Sequence, residues 1–256
     1  MPPPTCRRIL EIAIESAADA EAAARAGADR FELCAALEIG GITPSMGGFE
    51  TVRDATDRPV LPMLRPRGGD FCYDEHEFAA LRADAARFLS AGADGVVCGC
   101  LRSDGTIDAA RTREVVAAAA PCPVVFHRAF DLTPDPLAAL ECLIDLGVRR
   151  VLTSGGCVSA VEPYAVDLLR RLVSAAAGRI EILAGSGIRP GNVAKLLAET
   201  GCDQIHSSCR VPQVDPSPLA CRAAAMGFGV ESEGGLRRSR LDPSAVAQLR
   251  TALDQP

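Results

Sequence analysis

Short runs of β-branched and aliphatic residues alternate along this chain with longer stretches in which Ala, Leu and Arg recur at helical spacing. The runs predict strands at residues 9–14, 30–34, 60–64, 95–99, 124–127, 150–153, 180–184 and 203–207. The stretches between them predict helices near 17–26, 48–55, 74–91, 108–119, 136–147, 160–176 and 192–199, with a last one near 243–253. Gly27, Gly147 and Gly201 mark helix stops, and Pro136 suits a first helical turn. Two helix-to-strand junctions read Ala-Gly-Ala-Asp (26–29 and 91–94) and a third reads Leu-Gly-Val (146–148). Such abrupt joins are the short αβ loops of a barrel's stability face.

Strict alternation requires parallel strands with right-handed crossovers. Eight such units within 256 residues fit one α/β domain, residues 1–256, folded as a (β/α)₈ TIM barrel. A doubly wound sheet is the alternative, and it usually has fewer strands. One extended segment breaks the rhythm before the last helix. Residues 209–242 carry Pro212, Pro216, Pro218 and a Gly- and Arg-rich end. Long loops in compact domains are functional or disordered, so this one is either a cap over the barrel mouth or a loose insert.

Composition narrows the partners. Aromatics are 4% with no Trp, which removes a stacking platform for single-stranded nucleic acid, and a net charge of −6 argues against a polyanion-binding surface. No apolar run approaches the roughly 18–20 residues of a membrane span, and Met1–Cys6 lacks the basic and apolar segments of a leader. A soluble, cytoplasmic protein without a nucleic-acid or membrane partner is expected. The eleven cysteines are odd in number and scattered, with no CxxC pair, so neither a disulfide framework nor a structural zinc site is indicated. Lys195 is the only lysine, which leaves almost no candidate for a Schiff base.

Barrel strands are covered on both faces and should be apolar throughout. Polar interruptions therefore need a reason, because burying a charge is costly unless it is paired. Glu11 and Glu32 interrupt the first two strands, Arg65 follows the third, His127 ends the fifth and His206 the eighth. Most lie at carboxyl ends of strands, where active sites of this fold gather. With Phe31 and Leu33 facing helices, alternation turns Glu32 and Cys34 inward; Arg65 shares a face with Met63, His127 with Val125, and His206 with Gln204. Two carboxylates, one Arg and two His around one mouth suit acid–base catalysis or a polar ligand. The plain alternative is a buried salt-bridge network in which Arg65 pairs with Glu11 and Glu32.

Several loops add ligand-binding candidates. Gly185 and Gly187, in the run from Ala184 to Asn192, let backbone N–H groups approach an anion, and Ser207 and Ser208 complete a phosphate cradle or simply make a turn. Arg67 and Asp70, like Arg128 and Asp131, either bind a ligand or pair with each other, and Thr153 and Ser154 end the sixth strand. Thiolates suit Cu(I). Cys34 faces the mouth, Cys72 lies on a mouth loop, and Cys98 and Cys100 share one side of the fourth strand. Each of these cysteines also serves equally well as a small buried hydrophobe.

These residues closely resemble the CutC family, named for copper homeostasis. The likeness runs through Gly27-Ala-Asp-Arg-Phe-Glu-Leu-Cys34, Gly40-Gly-Ile-Thr-Pro-Ser45, Pro62-Met-Leu-Arg-Pro-Arg-Gly-Gly-Asp-Phe-Cys-Tyr73, Phe126-His-Arg-Ala-Phe-Asp131, Val151-Leu-Thr-Ser-Gly155 and Ile205-His-Ser-Ser208. It covers nearly the whole chain. The resemblance implies a TIM barrel, a cytoplasmic location, a homo-oligomer (dimer or tetramer) and a role in copper handling. Family members often carry a Cys two places after the first-strand Glu, and here that place is Ala13.

Two readings follow. In the first, placed ahead by the resemblance, the protein binds copper as Cu(I) through Cys34, helped by Cys72 or the Cys98/Cys100 pair. In the second it is an enzyme acting on a small anionic molecule, phosphorylated or not. Glu32 or Glu11 is then base, His127 acid, Arg65 anion clamp and Gly185 to Gly187 phosphate cradle. A structural role with an idle mouth is the third possibility, since fold alone decides none of this.

Overall fold

The computed structural model describes residues 7–227, 230–232 and 235–255. Eight parallel strands make one sheet: β1 (Ile9–Ile14), β2 (Arg30–Leu33), β3 (Val60–Pro62), β4 (Val96–Cys98), β5 (Val124–Phe126), β6 (Arg150–Thr153), β7 (Glu181–Gly185) and β8 (Gln204–Ser207). Their order is β3-β2-β1-β8-β7-β6-β5-β4. The two ends meet through a parallel bridge between Met63 and Val97, where the Leu64 N–H donates to the Val97 carbonyl at 2.7 Å. The sheet is thus a nearly closed barrel, and the (β/α)₈ TIM architecture expected from the alternation is what the chain adopts.

Seven helices connect the strands on the outside: α1 (Ala17–Arg25), α2 (Met46–Ala55), α3 (Glu75–Ser90), α4 (Ala109–Ala119), α5 (Pro136–Asp145), α6 (Pro163–Ala176) and α7 (Val193–Thr200). Most begin on a side chain that accepts an otherwise free N–H. Ser16 accepts from Asp19, Asp108 from Arg111, and Asp135 from Leu137 and Ala138. Asp74 and Glu77 satisfy each other's backbone reciprocally at the start of α3. Pro136 stands in the first turn of α5, as its fixed φ favours.

Alternation sorts the strand residues. Leu10, Ile12, Ile14, Phe31 and Leu33 point outward into the main core between sheet and helices. Cys34, Leu61, Met63, Val97, Val125, Leu152 and Leu183 form a smaller cluster inside the barrel. Each fully buried Leu or Phe contributes about 1.5–3 kcal/mol.

Beneath the inner cluster the barrel is closed by charge. Arg30 Nε donates to Glu11 Oε2, and Arg30 Nη2 donates to Gln204 Oε1 at 3.0 Å. Arg150 Nε reaches the same Gln204 oxygen at 2.9 Å, while Gln204 Nε2 donates to Glu181 Oε2 at 2.9 Å. Glu181 also pairs with Arg149 at 2.7 Å. Four strands, β2, β6, β7 and β8, are thereby tied across the barrel floor, with β1 joined through Glu11.

Among its described residues the segment 209–242 is ordered, and its Arg210, Val211, Pro212, Arg238 and Ser239 line the cleft at the barrel mouth. It folds into β9 (Arg210–Asp215), α8 (Pro218–Ala225), β10 (Val230–Ser232) and β11 (Gly235–Leu241), an antiparallel arm with strand order β10-β11-β9. Pro212 is tolerated because β9 pairs on one side only, leaving an edge. Arg210 fastens the arm to the barrel through Glu15 (2.9 Å) and Asp19 (3.0 Å). A final helix, α9 (Pro243–Asp254), packs on α1, α7 and β1. Among the described residues no helix is long and apolar enough to cross a membrane. The stretch 1–6, read above for a leader, lies outside them.

Glu11 is 2% exposed, so removing its cation leaves a buried charge uncompensated. Arg30→Ala is expected to cost about 3–5 kcal/mol of stability, read as a lower urea midpoint. Loss of less than about 1 kcal/mol would show that the floor is not held this way.

Candidate functional site

A cleft of about 1550 Å³ opens at the carboxyl ends of the barrel strands, and Glu32, Arg65, His127 and His206 line it. Glu11 lies just below. Its Oε1 accepts from His206 Nδ1 at 2.8 Å, and the other face of the His206 ring places Nε2 3.7 Å from Glu32 Oε2. Arg30, Glu11, His206 and Glu32 therefore form a line of alternating basic and acidic side chains that rises from the floor to the cleft.

Burial works against charge on all of these groups, and their neighbours decide the outcome. Burial would raise the Glu11 carboxyl, but Arg30 and the His206 hydrogen bond hold it far below the ordinary carboxylate range. Glu32 has no such cation against it. Burial and nearby Glu11 push its pKa up, opposed by His206. Burial disfavours the imidazolium of His206, but Glu32 and Glu11 outweigh it and raise the pKa. His206 thus stands between two carboxyl groups and hydrogen-bonds Glu11 alone of the two.

His127 is of another kind. Its ring is 3% exposed, and Nδ1 accepts from the Ala129 N–H at 3.1 Å as cap of the short 3₁₀ turn Arg128–Leu132. Burial and the Arg65 guanidinium lower its pKa to about 3. The imidazole is therefore neutral, with its proton on Nε2. The ring fills the space over Gly99, where any Cβ would overlap His127 Cε1. Phe71 packs against it at 4.8 Å between ring centroids, and the Arg65 guanidinium lies 4.8 Å from the same Phe71 ring.

Arg65 does not pair with Glu11 or Glu32, contrary to the salt-bridge alternative. It is held by carbonyls, donating to Ile39 (2.9 Å), Gly41 (3.0 Å) and Gly69 (2.8 Å). The cation under Glu11 is Arg30. Three buried polar atoms of the cleft residues have no partner within the protein: Glu32 Oε1, Arg65 Nε and His127 Nε2. One acceptor and two donors on cleft-lining side chains are thus unsatisfied by other protein groups.

The other candidates divide. Arg128, Asp131, Gly187, Ser207 and Ser208 also line the cleft. Asp131 is fully engaged: it pairs with Arg128 at 2.9 Å and accepts from Thr153 Oγ1 (2.5 Å) and Ser154 N (3.0 Å). Thr153 and Ser154 are buried beneath and serve this knot, which joins the loops after β5 and β6. Gly187 has φ +70°, and a Cβ there would overlap Ser159 Oγ, so packing alone demands glycine. Gly185 faces Leu152, whose Cδ1 would lie 2.7 Å from an added Cβ. Arg67 and Asp70 pair with each other at 3.1 Å, Arg67 also with Glu77, and neither lines the cleft.

The thiols are not brought together. Cys34 is inside the barrel, 3.5 Å from Glu32 Oε2, and burial with Glu32 raises its pKa well above the usual thiol range. Cys98 and Cys100 face outward into the core between sheet and helices, and burial raises both, Cys100 to about 12. Cys72 lies half-buried on the outer groove beside Phe78 and Arg111. Among the described residues the group placed to hold an ion is Glu11, Glu32 and His206, whose ligand atoms lie within 4.8 Å of one another. Sequence reasoning missed the floor residues Arg30, Arg150 and Glu181, although each stands two places before an inward residue of its own strand.

The model of the CutC family matches residues 8–211. A family protein CutC of Chromobacterium violaceum is 44% identical over 97% of this chain and 99% of its own length. The human protein named copper homeostasis protein cutC homolog is 42% identical over 86% of this chain and 80% of its own. The crystal structure of a CutC from Streptococcus agalactiae superposes with a TM-score of 0.72 at 33% identity, covering 78% of this chain and 98% of that one.

The neutral state of His127 has a consequence for stability. Its folded pKa of about 3 lies below the ordinary 6.5, so the unfolded chain binds the extra proton. This contribution is complete above pH 6.5 and is lost as the pH falls toward 3. Stability should fall less steeply between pH 6.5 and 4 in His127→Gln than in the wild type, and the His127 ring resonances should not titrate between pH 5 and 8. A ring titrating near 6.5 would contradict the assignment.

Proposed function

The chain belongs to the CutC family, and we propose that its barrel mouth binds a small anionic carbonyl compound and moves a proton on it. The observation that carries this reading is the set of partnerless atoms, Glu32 Oε1, Arg65 Nε and His127 Nε2, around one cleft. Two preorganised N–H donors suit an oxyanion that develops on a carbonyl. A neutral imidazole donates to such an oxygen without first having to lose a charge. Glu32, raised by burial, is suited to take a proton from the neighbouring carbon. Glu11 and Arg30 hold His206 in place and touch no substrate. Lys195 is exposed on α7, away from the mouth, so no Schiff base takes part. A cytoplasmic setting belongs to this proposal, and the ten unbridged cysteines of the described residues accord with it.

A second reading rests on the relatives' names. By likeness to the human and mouse copper homeostasis proteins, copper would be this chain's cargo. Cys34, buried beside Glu32, favours it, while the outward Cys98 and Cys100 leave that thiol without a second sulfur there.

Incubation in D₂O with dihydroxyacetone phosphate or pyruvate, followed by proton NMR, tests the first reading. Exchange at the carbon beside the carbonyl is expected, slowed by about 10²–10⁴-fold in Glu32→Gln. No exchange above the uncatalysed rate with either compound would count against it. An anaerobic Cu(I) competition titration tests the second: tight one-to-one binding lost in Cys34→Ser would support copper handling, and binding indifferent to Cys34 would sink the thiolate site.

A further inference from the structure

The gap between His206 and Glu32 is unusual. At 3.7 Å, His206 Nε2 and Glu32 Oε2 stand too far apart for a hydrogen bond. Two ligand atoms about 2.1 Å from a common ion are roughly 3.4 Å apart at a tetrahedral angle. We propose that, at the mouth read above as the functional site, His206 Nε2 and Glu32 hold a divalent transition-metal ion of the Zn(II) or Co(II) kind, with Glu11 fixing the imidazole from behind.

Three observations carry this. The ring's other nitrogen is committed: Nδ1 faces Glu11 Oε1 at 2.8 Å, which leaves Nε2 as the free lone pair. A carboxylate behind a histidine is the usual support of a metal-bound imidazole. Glu11 is itself anchored by Arg30 through Oε2, so it acts as that support and does not leave it to become a ligand. Independently, Glu32 Oε1 is buried with no partner in the protein, so this carboxylate has a donor oxygen to spare beside the Oε2 that faces His206. Glu32 is 3% exposed, which makes the lack of a partner costly.

The donor set selects the ion. One imidazole and one carboxylate suit borderline divalent ions, whereas Cu(I) prefers sulfur. With two protein ligands the remaining positions face the cleft, open to water or to an oxygen of a bound molecule. The same residues then serve in two ways. With an ion present, Glu32 is a ligand and is no longer free to take a proton. The ion competes with the proton-transfer state of the mouth.

The test is a titration of metal-free protein with Co(II), followed by visible absorption, and with Zn(II), followed by calorimetry. One ion per chain is expected, bound at least about 10–100-fold more weakly in Glu32→Gln and in His206→Gln, since loss of a mere supporting residue typically costs that much, and unchanged in Cys34→Ser. Glu32→Gln keeps the side-chain shape, and circular dichroism confirms that each variant is folded. No stoichiometric ion in the wild type, or equal affinity in both ligand variants, would overturn the proposal. So would an intense sulfur-to-cobalt band that disappears in Cys34→Ser, since the centre would then be a thiolate site. Binding alone is read, so failure here leaves the proton-transfer reading standing, and failure of the D₂O exchange leaves this one.

Discussion

A carboxylate kept ionised inside a barrel needs a cation held against it, and Arg30 is that cation for Glu11. The pair joins two functions that most barrels keep apart. Downward, Arg30 shares Gln204 with Arg150 and so closes the floor. Upward, the fixed Glu11 carboxylate orients His206, which in turn faces Glu32. Stability and chemistry are therefore continuous through one side chain. A mouth resting on a purely apolar plug would have no comparable means of setting which nitrogen of His206 faces the cleft.

Much of this could be read from the amino-acid order. The helix stops at Gly27 and Gly147 and the apolar runs place every barrel strand, with differences only at the ends. The parity of β2 and β8 correctly turns Glu32 and His206 inward, because one slip would put Phe31 and Ile205 inside the barrel. Parity applied one step lower would also have found Arg30. An arginine opening a strand reads as a solvated terminus, however, and nothing local says that the barrel floor lies there. The arm was illegible for a related reason. β9 carries two prolines nearby, and its partner β11 is reached only after α8, so no short-range turn announces the pairing.

The cysteines show where residue type misleads. Cys98 and Cys100 do share a side, as two-residue spacing requires, but it is the outer side, where Val96 and Phe126 also pack. Spacing fixes that two side chains face alike and not which way they face. What the mouth offers instead is nitrogen and oxygen, arranged as one raised carboxyl, one imidazole between two carboxyls, and one imidazole kept neutral.

The contact between His127 and Gly99 bears on how this mouth can change over generations. The imidazole occupies the space that any side chain at residue 99 would need. A lineage cannot gain even a methyl group at position 99 while it keeps His127 in this pose. It must first shrink or turn the residue at 127, giving up the neutral donor before anything is gained. The two positions are thus epistatic with a fixed order of steps, and once a side chain fills position 99 the histidine cannot return to this pose.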